Sequence, residues 1–131
     1  MTPAELKTLR ESLGIPVAWL AEQANVQRRT VEYWEAGRSI VPADVAELLI
    51  KLDQQFDRAA EQAFQVAQEK TSQYGQPQAV ELRRYRTDAA LWQARQDMQG
   101  LPVTAHAVLL NRSRKLLEKQ GYAVRIDYAD N

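Results

Sequence analysis

The sequence predicts a mainly α chain with a small α+β unit at its carboxy end, and three features carry that prediction. Residues 15–37 hold a short apolar helix, a turn and a second helix with a polar face. From Val45 to Ala67, apolar side chains recur at steps of three and four, with no Gly or Pro before Gly75. Tyr122, Val124, Ile126 and Tyr128 then alternate with Ala123, Arg125 and Asp127, the cleanest strand pattern in the chain. The implied layout is a helical domain over 1–55, an extension of its fourth helix over 56–70, and an α+β unit over 71–131.

Taken in order, Thr2 reads as an N-cap, with Pro3 at the first helical position and Glu5 completing a capping box. Leu6, Leu9 and Leu13 give that first helix its buried stripe, and Gly14 stops it. Leu20, Ala21 and Ala24 form the apolar side of a second helix, with Ala21 small enough for close approach. Asn25 falls where this helix must end, and Asn is one of the few residues besides Gly that tolerates a left-handed backbone. Val26 plugs the turn, and Gln27 to Glu35 form a third helix that buries Val31 and Trp34. After a loop over 37–41, Pro42 opens a helix from 42 to 70, which at about 1.5 Å per residue is about 43 Å long. That exceeds what one small domain needs, so its second half belongs to another core or another subunit.

Residues 71–78, with Gly75 and Pro77, are expected to break the helix. Val80 and Leu82 alternate with Glu81 and Arg83, which predicts a strand over 79–85. Helices follow over 88–99, marked by Leu91, Ala94 and Met98, and over 103–120, marked by Ala105, Val108, Leu109 and Leu116. Gly100 with Pro102 and then Gly121 stop them before the final strand. Two strands make a poor sheet alone, so pairing across a two-fold axis is expected, with this unit as the dimerisation module.

The third helix leaves Gln27, Arg28, Arg29, Thr30, Glu32 and Tyr33 free of the core. Arg can pair with guanine O6 and N7, and Gln with adenine N6 and N7, so this face suits the major groove of double-stranded DNA. Two roles fit Glu32: accepting from cytosine N4 or orienting a neighbouring arginine. Tyr33 either packs on the sugar-phosphate backbone or fills the surface. Arg38 and Ser39, in the loop beyond, are candidate phosphate ligands.

The run Gln27-Arg28-Arg29-Thr30-Val31-Glu32-Tyr33-Trp34-Glu35-Ala36-Gly37-Arg38 resembles the recognition helix and exit loop of the Cro/C1, lambda repressor-like helix-turn-helix family. The resemblance covers roughly residues 3 to 55. It implies that the third helix enters the major groove, that Trp34 closes the core, and that Glu35 pairs with a basic residue on the first helix, here Arg10. The chain departs from the family at Pro16-Val17, where Ser-Gln usually opens the second helix and Gln binds a phosphate. Asn25 stands in place of the turn glycine, and the fourth helix runs on where the family has a short fifth helix. The whole layout loosely resembles YdiL-type bacterial proteins and the anti-CRISPR-associated repressors of phages, which implies autoregulation of a small operon. A monomer of this type reads few base pairs, so a homodimeric repressor on a palindrome with half-sites about 34 Å apart is expected. The alternative is an antitoxin-type module whose carboxy-terminal unit neutralises a partner protein, and RNA is a further possible partner.

Composition narrows the remaining classes. The 131 residues carry 17 basic and 17 acidic side chains, so this is not a generic nucleic-acid coat. Residues 1–41 balance five basic against five acidic groups, and 71–131 have nine against six. Useful positive charge must therefore be local, as at Arg28, Arg29 and Arg38. The run Arg83, Arg84 and Arg86 is either an auxiliary nucleic-acid patch or a solvated strand edge that resists aggregation. There is no cysteine, no apolar run of membrane-spanning length and no basic-then-apolar amino-terminal signal, so a reducing cytoplasm is the expected compartment. His106 has no second histidine or cysteine to join it, so no metal is expected. No nucleophile with an adjacent base, phosphate loop or carboxylate cluster is visible, so no catalytic residue or cofactor is expected either.

Overall fold

The computed structural model, which describes residues 1–129, is mainly helical and ends in a small two-stranded parallel sheet. Its elements run α1 (Pro3–Ser12), α2 (Val17–Ala24), α3 (Arg28–Ala36), α4 (Ala43–Tyr74), β1 (Val80–Arg84), α5 (Asp88–Ala94), a 3-10 turn (Gln96–Met98), α6 (Val103–Lys119) and β2 (Val124–Tyr128). Two compact units divide between Gln54 and Gln55, a point inside α4. Among the described residues no helix is long and apolar enough to cross a membrane.

In the first unit the capping box at α1 forms as the sequence predicts. Thr2 Oγ1 accepts from the Glu5 amide at 3.1 Å, and the Thr2 amide donates to Glu5 Oε1 at 2.8 Å. Leu6, Leu13, Ile15, Leu20, Val31, Trp34, Val45 and Leu49 are buried and form the core. A charged pair is buried beside them. Arg10 Nε donates to Glu35 Oε2 at 2.6 Å, Nη2 donates to Oε1 at 2.9 Å, and Nη1 donates to the Ile15 carbonyl at 3.0 Å. The fork ties α1 to the end of α3 and to the residue leading into α2. Its hydrogen bonds to Glu35 raise the Arg10 guanidinium further above its ordinary pKa.

In the second unit, β1 and β2 pair in parallel with Val80 opposite Val124 and Leu82 opposite Ile126. Parallel neighbours cannot be joined by a hairpin, so α5 and α6 form the crossover between them. The α4 residues Phe56, Ala60 and Ala67 are buried on one side of the helix, with Leu91, Ala105, Leu109, Leu110, Leu117 and Tyr122 also in the core. Tyr122 meets Phe64 edge to face at 6.4 Å, and its hydroxyl lies 2.9 Å from Thr71 Oγ1. Pro102 offers α6 no side-chain cap, and Asp88 Oδ1 takes that role by accepting from the Val103 amide at 2.7 Å.

Three boundaries differ from the sequence expectation by more than one residue. The helix expected to end at 70 continues to Tyr74, because nothing before Gly75, at φ 82°, interrupts its hydrogen bonding. The helix expected over 88–99 ends at Ala94, where Arg95 leaves the helical region and pairs with Asp97 at 2.8 Å. The final strand begins at Val124 because Tyr122 bonds back to the Leu117 carbonyl as part of the α6 terminus.

Two expected outcomes follow from these cores. Glu35→Ala strands a buried guanidinium and is expected to cost about 3 kcal/mol, whereas Arg10→Met combined with Glu35→Leu costs much less; urea denaturation of the three proteins measures both. His106 is buried, and its Nδ1 has no hydrogen-bond partner among the described residues. Burial, with the nearby Arg95 and Arg84 charges adding and Asp97 opposing, lowers its pKa from 6.5 to about 4. The unfolded chain therefore binds the extra proton first as pH falls, so stability present above pH 6.5 is lost toward pH 4. At pH 5 the expected loss is about 2 kcal/mol. Denaturation midpoints at pH 7 and pH 5, compared with those of His106→Asn, isolate this contribution.

Candidate nucleic-acid interface

The turn into α3 is built from backbone geometry that few residues allow. α2 ends at Ala24, and Asn25 takes a left-handed conformation at φ 56° and ψ 47°. That reversal lets the Val26 amide donate to the Ala21 carbonyl at 2.9 Å, closing the helix end. Gln27 is then extended and serves as the N-cap of α3, one position earlier than its expected place inside the helix. Its side chain makes no capping bond, so the amide remains available at the helix start.

Burial divides α3 into two faces. Val31 and Trp34 are buried and anchor it to the core. Arg28, Arg29 and Glu32 are exposed, with Thr30 and Tyr33 half-buried at the margins. Arg28, Arg29, Glu32 and Tyr33 occupy positions i, i+1, i+4 and i+5, which share one side of a helix. Among the described residues no ion pair engages Arg28, Arg29 or Glu32, and Glu32 is held by neither arginine. The first turn of α3 also directs unpaired backbone amides outward, so the arginines and the helix dipole place positive potential at the same end.

At the other end, Gly37 adopts φ 81° and a Cβ there would lie 3.7 Å from Pro3 Cγ, so conformation rather than crowding demands glycine. The Arg38 amide donates to the Tyr33 carbonyl at 2.9 Å, and the Arg38 guanidinium lies 5.4 Å from the centre of the Tyr33 ring. Tyr33 thus carries Arg38, a coupling that spacing alone did not reveal. Ser39 is exposed beside it, as is Ile40 at 92%. The sequence reading passed over Ile40; an aliphatic residue in a polar loop was the signal available. At the start of α2, Pro16 caps the helix without a side-chain bond, and neither it nor Val17 has a side-chain donor for a phosphate.

The other candidates lie elsewhere. Arg83 pairs with Glu81 at 3.5 Å and Arg125 with Asp127 at 2.7 Å, which favours the solvated-strand reading of that run. Arg86 stacks over Tyr128 at 3.7 Å. Among the described residues no group of three or more His, Asp or Glu side chains gathers as a metal site.

Residues 4–62 match a family model described as a helix-turn-helix domain. The amino-terminal part of this chain is a helix-turn-helix domain. It is also similar to the Aca2 repressor of Pectobacterium phage ZF40, with 42% identity over 53 residues. That match covers 40% of this chain and 46% of the repressor, so the chain spans about half the length of the curated relative it matches. The resemblance to phage repressors read from Gln27 to Arg38 is therefore supported, and within the helix-turn-helix domain the implied Arg10–Glu35 pair is present.

The left-handed turn makes Asn25 a test of this geometry. Asn25→Gly is expected to be nearly neutral and Asn25→Ala to cost about 1 kcal/mol; thermal melts of the two variants give the comparison.

Proposed function

We propose that this protein is a sequence-specific DNA-binding regulator of transcription, acting as a dimeric repressor on a palindromic operator and controlling its own operon. One observation carries the reading: α3, anchored in the core by Val31 and Trp34, and its N-cap expose Gln27, Arg28, Arg29 and Glu32, with no ion pair among the described residues to occupy them. In the proposed complex α3 lies in the major groove. Arg28 and Arg29 read guanine, Gln27 reads adenine, and Glu32 accepts from cytosine N4. Thr30 and Tyr33 border the groove, while Arg38, carried on the Tyr33 ring, and Ser39 hold a phosphate. The name of the similar phage protein, a repressor, favours repression over activation. With a net charge of zero, non-specific affinity is low, and selectivity rests on these few side chains.

Selection of bound fragments from genomic DNA is expected to return an inverted repeat whose half-site centres lie about one helical turn, or a multiple of it, apart. Arg28→Ala combined with Arg29→Ala is expected to weaken binding of that repeat at least about thirtyfold, since each bidentate pair contributes about 1–3 kcal/mol. Circular dichroism of the double variant is expected to match the parent. Unchanged affinity in that folded variant would overturn the assignment of α3 as the reading element.

A further inference from the structure

The second unit contains an apolar groove of about 850 Å³ that its own chain leaves open. One wall is a face of α4. Phe56, Ala60, Ala67 and Thr71 turn one side of that helix into the unit's core, yet Ala59, Ala63 and Val66 form a second, adjacent apolar stripe that lines the groove. The apolar surface of α4 is therefore wider than one core requires. Ala59, Ala63, Val66 and Lys70 follow at steps of four, three and four, the spacing of a helix seam, and the two alanines allow close approach. Val66 is 50% exposed and Tyr74 is 83% exposed, so this stripe faces solvent in the single chain.

The opposite wall is β1, and it is the strand's edge that borders the groove. Val80, Glu81 and Leu82 all line it, although successive residues of a strand point to opposite faces. The hydrogen-bonding pattern agrees. The Val80 amide donates to the Ala123 carbonyl at 2.8 Å and the Arg84 carbonyl accepts from Ala129 at 2.9 Å, so the even-numbered residues bond toward β2. By alternation, the backbone groups of Glu81 and Arg83 point away from β2, along the free edge.

We infer that this groove is the seat of a second copy of the same chain, with α4 packing on α4 and the free edge of β1 meeting its counterpart. The inference rests on the dimeric reading proposed above and adds the surface that makes the dimer. Three features select a second copy as the occupant. A two-fold axis sets β1 antiparallel to its mate, converting two strands that make a poor sheet into four. The free edge asks for a strand, which another protein backbone supplies. The free edge is self-complementary in charge, because antiparallel pairing with the two-fold at Leu82 sets Glu81 opposite Arg83 of the second copy, and the reverse.

The test is sedimentation equilibrium of the full chain with three variants. Val66→Glu places a charge in the seam at a position already half exposed, so the single chain still folds. Glu81→Pro removes an amide from the free edge without touching the ladder to β2. Gln68→Glu, on an exposed face of α4 away from the groove, is the control. Each of the first two is expected to weaken dimerisation about a hundredfold or more, with unchanged circular dichroism, while the control matches the parent. Both are also expected to bind an isolated half-site as the parent does and to lose the extra affinity for the full repeat. Parent-like dimerisation of folded Val66→Glu and Glu81→Pro overturns the groove as the interface while leaving a dimeric regulator standing. A parent chain that is monomeric at tens of micromolar overturns the dimeric reading itself, and this inference with it.

Discussion

The buried fork from Arg10 to Glu35 is the constraint on which the amino-terminal unit depends, because it joins three segments that apolar packing alone would leave free to slide. Aliphatic contacts are non-directional, so Leu6, Leu20 and Val31 hold the helices together without setting their rotation. A bidentate guanidinium-carboxylate pair is directional. Glu35 sits four residues after Val31 and one after Trp34, so holding its carboxylate fixes the rotation of α3 about its own axis. The face carrying Arg28, Arg29 and Glu32 is thereby turned outward. The third donor, to the Ile15 carbonyl, extends the same control to the approach to α2.

Charge placement matters more here than charge total. The chain is neutral overall, and its second unit pairs much of its own charge locally, within the strands and between Arg95 and Asp97. Among the described residues the α3 cations have no such ion-pair partners. Opposite charges within about 3 Å cancel most of their outward field, so the uncompensated positive potential of the amino-terminal unit gathers at the start of α3 and the exit loop.

The second unit shows how a small parallel sheet is maintained. Its two strands require a crossover, and that crossover is stabilised by two polar devices that compensate for poor local capping. Asp88 caps α6 across a gap of fifteen residues, and Trp92 Nε1 donates to the Leu101 carbonyl at 2.8 Å. Burying His106 beneath this assembly leaves Nδ1 without a hydrogen bond among the described residues even in the neutral ring, and protonation there costs more still, so the core holds it as a neutral side chain.

Local features were the legible part. The capping box at Thr2, the left-handed Asn25, the Gly37 stop and the Val31 and Trp34 anchors are each set by a residue's own backbone preference or by helical periodicity, and both operate over a few positions. The exposed set from Gln27 to Ser39 was readable for the same reason, since a face is defined once its helix is. Other features depended on residues distant in sequence. The pairing of β1 with β2 in parallel, the cap supplied by Asp88 and the burial of His106 all require the chain to have folded back upon itself. The end of α4 lay between these cases: Gly75 marked it, but helix continuation through Tyr74 outweighed the polar composition that suggested an earlier break. Periodicity and backbone preference determined which elements form and which faces they expose, because those energies are local; only tertiary structure decided which faces meet, because that depends on contacts between residues far apart in the chain.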